Sequence, residues 1–565
     1  MRVKGLLAIA MAAVTLVMFG VSPARVSAQG AAALSGVVTS AEEGKMEGVV
    51  ITARKDGGIA AVSVVSDKDG KYSFPSSHLA PGTYSLKIRA VGFDLTNGAP
   101  VTVAAGKPAT ADLKLAKAKD LASQLSSLEW MENMTGTPEE KDKMVHQLLS
   151  CNYCHTYQRI TKTKYTEQQW MAVIDRMVKY YADGTAVSND NRRGRAARIQ
   201  EPFRVQFLEK SPNWGASPSY PRTEVAAFWA KNNNSTGKLG YELTKFQPRP
   251  KGAATKVIVT EWDMPTAGTA SHDSALGPDG KLWYTDESAQ LLGMFDTRTQ
   301  TFKEYQMPPV DPGSVPGTRD VIVGKDGRIW VPIRKGKGDS VLAVFDPKTE
   351  KVEWAEGIQS QFIAEGPDGK IWAGWTRVDP ATRKAEGTFS PMSSGIVPKG
   401  AAPYAGNAEI DSKGNPWMLT QIGPGGLMGY DVAAKKAVWW PIDNPPAAGR
   451  RGAIDHQDRL WYGEYRNDKV IMVDSRTGKF QRWDLPKFTG PYTSSHPDAK
   501  GRVYAPSNMA ERLYRIEPKT NTIIAYQWPT EFDTKKINWQ DGTKNPTMWF
   551  VNMRTARVSR VEVLD

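Results

Sequence analysis

Apolar and polar positions alternate in short runs along residues 34–115, with turn residues between the runs. Ser35–Thr39, Gly48–Arg54, Ala60–Val65, Tyr72–Phe74, Gly82–Ala90, Val101–Val103 and Ala111–Leu115 each read as a strand, because a period of two turns one face of the chain toward a core. Asp67-Lys68-Asp69-Gly70-Lys71 is the turn cluster between two of them. Short strands in this density predict a small β-sandwich. The period then changes. Leu121–Met134 is predicted to be helical, and Thr137-Pro138-Glu139-Glu140 opens a second helix: a capping threonine, a first-turn proline, and acids near the positive helix end. That helix runs toward Ser150 and Cys151. A third, Glu167–Tyr181, places Trp170, Ile174 and Met177 on one face. Ser188–Pro218 reads as loop, Glu224–Lys231 as a short helix and Asn232–Lys251 as a polar linker.

The remainder is repetitive. Gly277-Pro278-Asp279-Gly280-Lys281-Leu282-Trp283 recurs as Gly324-Lys325-Asp326-Gly327-Arg328-Ile329-Trp330 and as Gly366-Pro367-Asp368-Gly369-Lys370-Ile371-Trp372. Weaker copies end at Trp417, Trp461, Tyr504 and Trp549, so the aromatic returns every 42–47 residues. A second element follows in most units: Met294-Phe295-Asp296, Val344-Phe345-Asp346, Gly429-Tyr430-Asp431, Met472-Val473-Asp474 and Arg515-Ile516-Glu517. The third unit has no clear copy of it. About four short strands per unit at this period predict propeller blades. Seven blades are expected, with Val257–Trp262 completing the last one and closing the ring.

Two of these regions resemble known families. Gly36-Val37-Val38, Gly48-Val49-Val50-Ile51, Asp69-Gly70-Lys71-Tyr72-Ser73-Phe74, Leu79-Ala80-Pro81-Gly82-Thr83-Tyr84 and Gly92-Phe93 resemble the carboxypeptidase regulatory-like family. That resemblance implies a transthyretin-like sandwich with a non-catalytic docking or spacer role. The Gly-Pro-Asp-Gly turn, its aromatic and the following Ile/Val-aromatic-Asp strand resemble the virginiamycin B (streptogramin) lyase propeller family. This implies a propeller and, as one function, a metal-dependent C–O lyase with a histidine base and a divalent metal in the propeller. The family's acid–histidine cluster has no residue-by-residue match here.

Cys151-Asn152-Tyr153-Cys154-His155 holds both cysteines of the chain. C-x-x-C-H is the attachment motif of c-type heme. Two thiols add to the two vinyl groups of one porphyrin, and the adjacent histidine ligates the iron. A zinc site needs further thiol or imidazole ligands nearby, and a redox dithiol needs a βαβ setting. Neither is present in the sequence. The sixth iron ligand is open among Met131, Met134, Met144, His146, Met171 and Met177, or none. The run Trp170–Met177 resembles small periplasmic c-type cytochrome domains, which implies Met177 as axial ligand beside His155. His/Met ligation suits electron transfer, whereas an open iron suits ligand binding or catalysis.

The N-terminus agrees with heme maturation outside the cytoplasm. Arg2 and Lys4 precede an apolar Leu6–Val21, and Val26-Ser27-Ala28 presents small residues before Gln29. This is the layout of a cleaved signal peptide, and the run is short for a membrane span of about 20 residues. A periplasmic or otherwise exported protein without a transmembrane segment is expected.

The expected architecture is therefore mainly β: signal peptide 1–28, carboxypeptidase regulatory-like β-sandwich 33–116, small α-helical cytochrome c domain 119–235, and seven-bladed β-propeller 255–565. The net charge of +13 favours an acidic partner, an anionic substrate or a membrane surface. No basic stripe or reading motif accompanies it, so nucleic acid is not expected. Ten or eleven residues before the blade aromatic, where a blade's first strand should begin near the channel, stand His272, Asp273, Arg319, Asp320, Arg450 and Arg451. Just past it stand Asp286, Glu287, Arg334, Glu464, Tyr465 and Asn508, with His496 near the mouth. These are the candidate binding residues of the propeller. Three functions follow: electron transfer with one covalent heme c and a redox partner protein; an oxidoreductase with a small-molecule substrate in the propeller; or the lyase.

Overall fold

The structure is a computed structural model that describes residues 32–146, 155–182, 222–234, 237–266, 269–286, 290–308, 310, 317–334, 340–403, 407–443 and 445–564. Residues 1–31, where a signal peptide is expected, and both cysteines lie outside the described residues. The chain is mainly β. In the first region, Ala32–Ser40 pairs with Lys71–Pro75 and Leu113–Lys117, while Val50–Lys55 pairs with Ala60–Val65 and Gly82–Arg89. The apolar faces of these two layers enclose Leu34, Val38, Ile51, Tyr72, Phe74 and Leu86.

Beyond Val257 the described residues form seven successive antiparallel sheets. The repeated turn has a clear physical basis. Gly280, Gly327 and Gly369 take φ of 79°, 80° and 76°, which only glycine adopts without strain. The preceding aspartates accept hydrogen bonds from Lys281, Arg328 and Lys370 backbone N–H groups at 3.2, 2.9 and 3.1 Å. Each turn thus delivers its aromatic into a core between sheets. Trp330 and Trp372 are fully buried. Apolar clusters join the first sheet to the second around Trp283 and Phe345, the fourth to the fifth around Trp417 and Leu460, and the seventh back to the first around Trp549 and Trp262. The third sheet has its second element after all: Thr376–Val378 pairs with Ile371–Ala373. Its missing aromatic hid it in the sequence.

Val257–Asp263 pairs along its length with Arg557–Val563, so the start of the ring completes its last sheet. The other edge of Val257–Asp263 is occupied too. Val259, Thr260, Glu261 and Trp262 pair with Ser63, Val62, Ala61 and Ala60. One eight-stranded sheet therefore runs from the ring into the sandwich, and an outer edge that would otherwise template association is covered.

The described helices lie between these regions. The expected helix at Leu121–Met134 is two pieces, a 3₁₀ turn at Leu121–Gln124 and a helix at Ser127–Asn133. The break is set by Ser126, whose hydroxyl caps Glu129 N–H while the Glu129 side chain caps Ser126 N–H. Thr137 and Glu140 form a similar reciprocal cap at the start of Pro138–His146. Glu167–Ala182 and Arg222–Asn232 follow. Their apolar side chains, including Trp130, Tyr157, Trp170 and Trp229, share one core with Trp461, Trp483, Met509 and Tyr514 of the ring. The Leu128 N–H donates to the Met509 carbonyl at 2.8 Å. Among the described residues no helix is long and apolar enough to cross a membrane.

Candidate functional site

Three groups of residues carry the candidate chemistry. The first is His155. Its Nδ1 lies 2.9 Å from the Thr156 carbonyl oxygen. A carbonyl only accepts, so Nδ1 carries the proton and Nε2 carries the lone pair. Burial pushes the imidazole pKa down to about 4, against the Thr156 hydrogen bond, and Arg159 and Arg554 lower it further. The ring is therefore neutral with a defined tautomer, which is the state a metal ligand needs. Met131, Met134 and Met144 are buried in the shared core, and Met171 packs against it. Met177 lies on the Glu167–Ala182 helix, with its side chain outside the described residues.

The second group lines the channel of the ring. Asp273, fully buried on the first strand of the first sheet, receives His272 Nδ1 at 2.7 Å and the Arg451 guanidinium. Burial would raise the Asp273 pKa, but Arg451, His272 and Lys536 outweigh it and hold the carboxyl well below the usual carboxylate range. Asp320 accepts from Ile363 N–H at 3.0 Å and from Lys536 Nζ at 3.2 Å, and Arg451 lies 3.8 Å away. Arg451 also sits 4.7 Å over the Phe362 ring. Glu409, half-buried on the short strand Glu409–Ile410 of the fourth sheet, is pushed up to about 8 by desolvation; Lys536 and Arg451 oppose the rise and Asp320 adds to it.

The third group sits beside the second and belongs to its chain neighbours. Arg450 packs on the ring of Tyr492 at 3.9 Å, and Lys535 packs on the same ring at 3.7 Å. Lys535 Nζ is 2.6 Å from Asp533, and both side chains are fully buried. Arg554 donates to the carbonyls of Asn508 and Phe532 at 2.9 and 3.3 Å and lies 3.7 Å from Glu511. Burial pushes Lys535 down to about 8 against the pull of Asp533, and Arg450 and Arg554 lower it further. Successive residues are thus divided between the clusters, Arg450 and Lys535 to the mouth, Arg451 and Lys536 to the channel.

Of the residues singled out from sequence, Asp273, Asp320 and Arg451 come together. Arg319 lies 5.9 Å from Phe362, at the rim of the same group. Glu464 does not join them. It is fully buried in an ion pair with Arg482 at 2.7 Å, so it is not displayed to a ligand. His496 bonds the Pro497 carbonyl at 3.0 Å and packs against Trp539. Asp286 accepts from Ala270 N–H at 2.9 Å. Among the described residues no three His, Cys, Asp or Glu side chains are grouped to hold a metal ion. Phe362 stands ten residues before Trp372, at the same offset as Asp273 and Asp320, and was legible on that ground. Glu409 and Lys536 break the offset, and nothing in the sequence marks Tyr492, Lys535 or Arg554.

Comparison with known proteins bears on parts of this architecture. Residues 33–116 match the carboxypeptidase regulatory-like domain. The carboxypeptidase regulatory-like domain is thus the unit whose strand continues the last sheet of the ring. Among solved structures, virginiamycin B lyase from Staphylococcus aureus is similar at 16% identity and a TM-score of 0.45, covering 54% of this chain and 99% of its own. A streptogramin B lyase is similar at 18% and 0.45, covering 55% and 99%. Neither likeness transfers a substrate or a catalytic residue. No curated protein matches the chain.

Proposed function

We propose that this chain is an exported c-type heme protein that transfers electrons. Its heme would be attached through Cys151 and Cys154, and its seven-sheet ring would act as a propeller that receives a redox partner protein or an organic substrate. The observation that carries the proposal is His155: it follows C-x-x-C directly and presents a neutral imidazole with the Nε2 lone pair available to iron. The heme supplies a reversible one-electron centre when bound. The chain's residues do the rest. The Thr156 carbonyl orients the imidazole, and Tyr157, Trp229 and Trp170 give the segment an apolar, water-poor setting that tunes the potential. Met177 is the proposed sixth ligand. The helical segment then serves as a cytochrome c-like unit.

Expression with residues 1–28 in a host that matures c-type heme tests this. Heme is expected to stay bound through denaturation and to be absent in Cys151→Ala/Cys154→Ala. A weak far-red band in the oxidised form is expected to disappear in Met177→Ala. A chain that never retains heme through denaturation overturns the proposal.

A second reading, an oxidoreductase with its substrate in the channel, is favoured by Glu409. A carboxyl that keeps its proton to about pH 8 beside Lys536 and Arg451 is suited to general-acid work. The lyase reading has no comparable support among the described residues, where no three His, Cys, Asp or Glu side chains are grouped to hold a metal ion.

A further inference from the structure

A cavity of about 240 Å³ lies where the sandwich, the helical segment and the ring meet. Val91 and Phe93 come from the sandwich, Leu125 and Thr156 from the helical segment, and Glu511 and Glu531 from the sixth sheet and the connection after it. Glu531 and Ser123 are exposed, whereas Thr156 and Glu511 are buried, so the cavity leads from the surface inward. At ~30 Å³ per water it has room for about eight water-sized atoms. Ligand sites favour such junctions between domains.

The lining has committed most of its donors and kept open acceptors. Arg89 Nη1 donates to the carbonyls of Trp528 and Thr530 at 2.9 and 2.8 Å, and its Nη2 donates to Glu511. Gln124 Nε2 donates to the Phe93 carbonyl and to Asp94, both at 2.9 Å, and Ser123 Oγ donates to the Asp120 carbonyl at 2.8 Å. Gln158 Nε2 donates to the Ala122 carbonyl at 3.3 Å, while its Oε1 takes no partner among the described residues. The Glu531 carboxylate likewise makes no hydrogen bond or ion pair among the described residues. Burial pushes the Glu511 pKa up; Arg89 and Arg554 oppose the rise, and Glu531 adds to it. The lining thus holds two carboxylates and one guanidinium, and that guanidinium is bonded to Glu511. Open acceptors beside the apolar side chains of Val91, Phe93 and Leu125 select a ligand that donates hydrogen bonds, carries positive charge and has a short apolar body.

We propose that this junction cavity binds a small organic ammonium compound, with its charged end on Glu531 and its apolar end against Val91, Phe93 and Leu125. The site uses neither cysteine and does not depend on the heme. All three regions contribute to it, so a bound ligand bridges them and stabilises the folded chain.

Calorimetric titration of the full chain with benzylammonium, benzyl alcohol and benzoate tests this with one shape and three charges. Benzylammonium is expected to bind saturably at one site, benzyl alcohol about tenfold more weakly, and benzoate not at all. Glu531→Gln is expected to weaken benzylammonium about tenfold and to leave benzyl alcohol unchanged. Val91→Trp, which fills the cavity, is expected to abolish binding of both. Glu356→Gln removes an exposed carboxylate on the second sheet of the ring and is expected to change nothing. Absence of saturable benzylammonium binding, equal affinity for benzoate, or benzylammonium binding unchanged in Glu531→Gln or in folded Val91→Trp overturns the inference. Covalent heme retention is read separately, so failure here leaves the heme proposal standing.

Discussion

The channel and the mouth of the ring are built from neighbouring residues, yet they hold their buried cations differently. In the channel, Arg451 and Lys536 meet Asp273 and Asp320, so each cation has a carboxylate within 4 Å. At the mouth, Lys535 pairs with Asp533 and Arg554 lies near Glu511, while Arg450 and Lys535 both pack on the Tyr492 ring and Arg450 lowers the Lys535 pKa. The alternation of side chains along extended backbone makes the division possible: one residue serves the closed interior and the next serves the covered surface. Self-contained pairing is what a structural axis requires.

Single substitutions at adjacent positions break this contrast most directly. Arg451→Met leaves Asp273 and Asp320 buried without their shared cation. Removing one partner of a buried pair is expected to cost about 3–5 kcal/mol, read as a lowered urea midpoint. Arg450→Met in the heme-free Cys151→Ala/Cys154→Ala background is expected to behave differently. It loses a cation–π contact worth about 0.5–2 kcal/mol and relieves the repulsion of Lys535, so its loss is expected to be smaller than that of Arg451→Met. Equal losses at Arg450 and Arg451 would show that the mouth is as self-contained as the channel.

The sequence makes the frame of this arrangement readable but not its charge pairing. The turn glycines, the blade aromatics and the alternating runs of the sandwich are local features, fixed by φ and by period. They appear in the structure at Gly280, Trp330 and Val50–Lys55. The fixed offset from the blade aromatic leads to Asp273, Asp320 and Arg451. Glu464 sits at an equally promising offset, and it fails because Arg482, from the outer strand of the same sheet, reaches back to it. Tyr492, Lys535 and Arg554 are missed because they lie in connections where the repeat has drifted. Their convergence depends on the packing of the fifth, sixth and seventh sheets, which no local pattern encodes. The capping box at Ser126 was legible in Ser126 and Glu129, but the continuous apolar pattern across Leu125 concealed it.

The effect that best defines the channel depends on pH. With Glu409 protonated, Asp273 and Asp320 balance Arg451 and Lys536. With Glu409 ionised, the acids are in excess. Desolvation raises the Glu409 pKa from 4.5 to about 8, so the native state holds this proton more tightly than the unfolded chain does. The unfolded state then binds fewer protons between those two values, and by linkage stability falls as pH rises through that window. Asp273 acts with the opposite sign: its depressed pKa gives stability that is complete above the unfolded value of 3.8 and lost only on acidification below it. Glu409→Gln removes the Glu409 contribution alone. Relative to the unaltered chain, the variant is expected to gain stability steadily from pH 5 to pH 8 and to show little difference at pH 5. Urea unfolding at the two pH values measures this. A difference that does not grow with pH would place the Glu409 carboxylate in water or in an ion pair, and would remove the general-acid role with it.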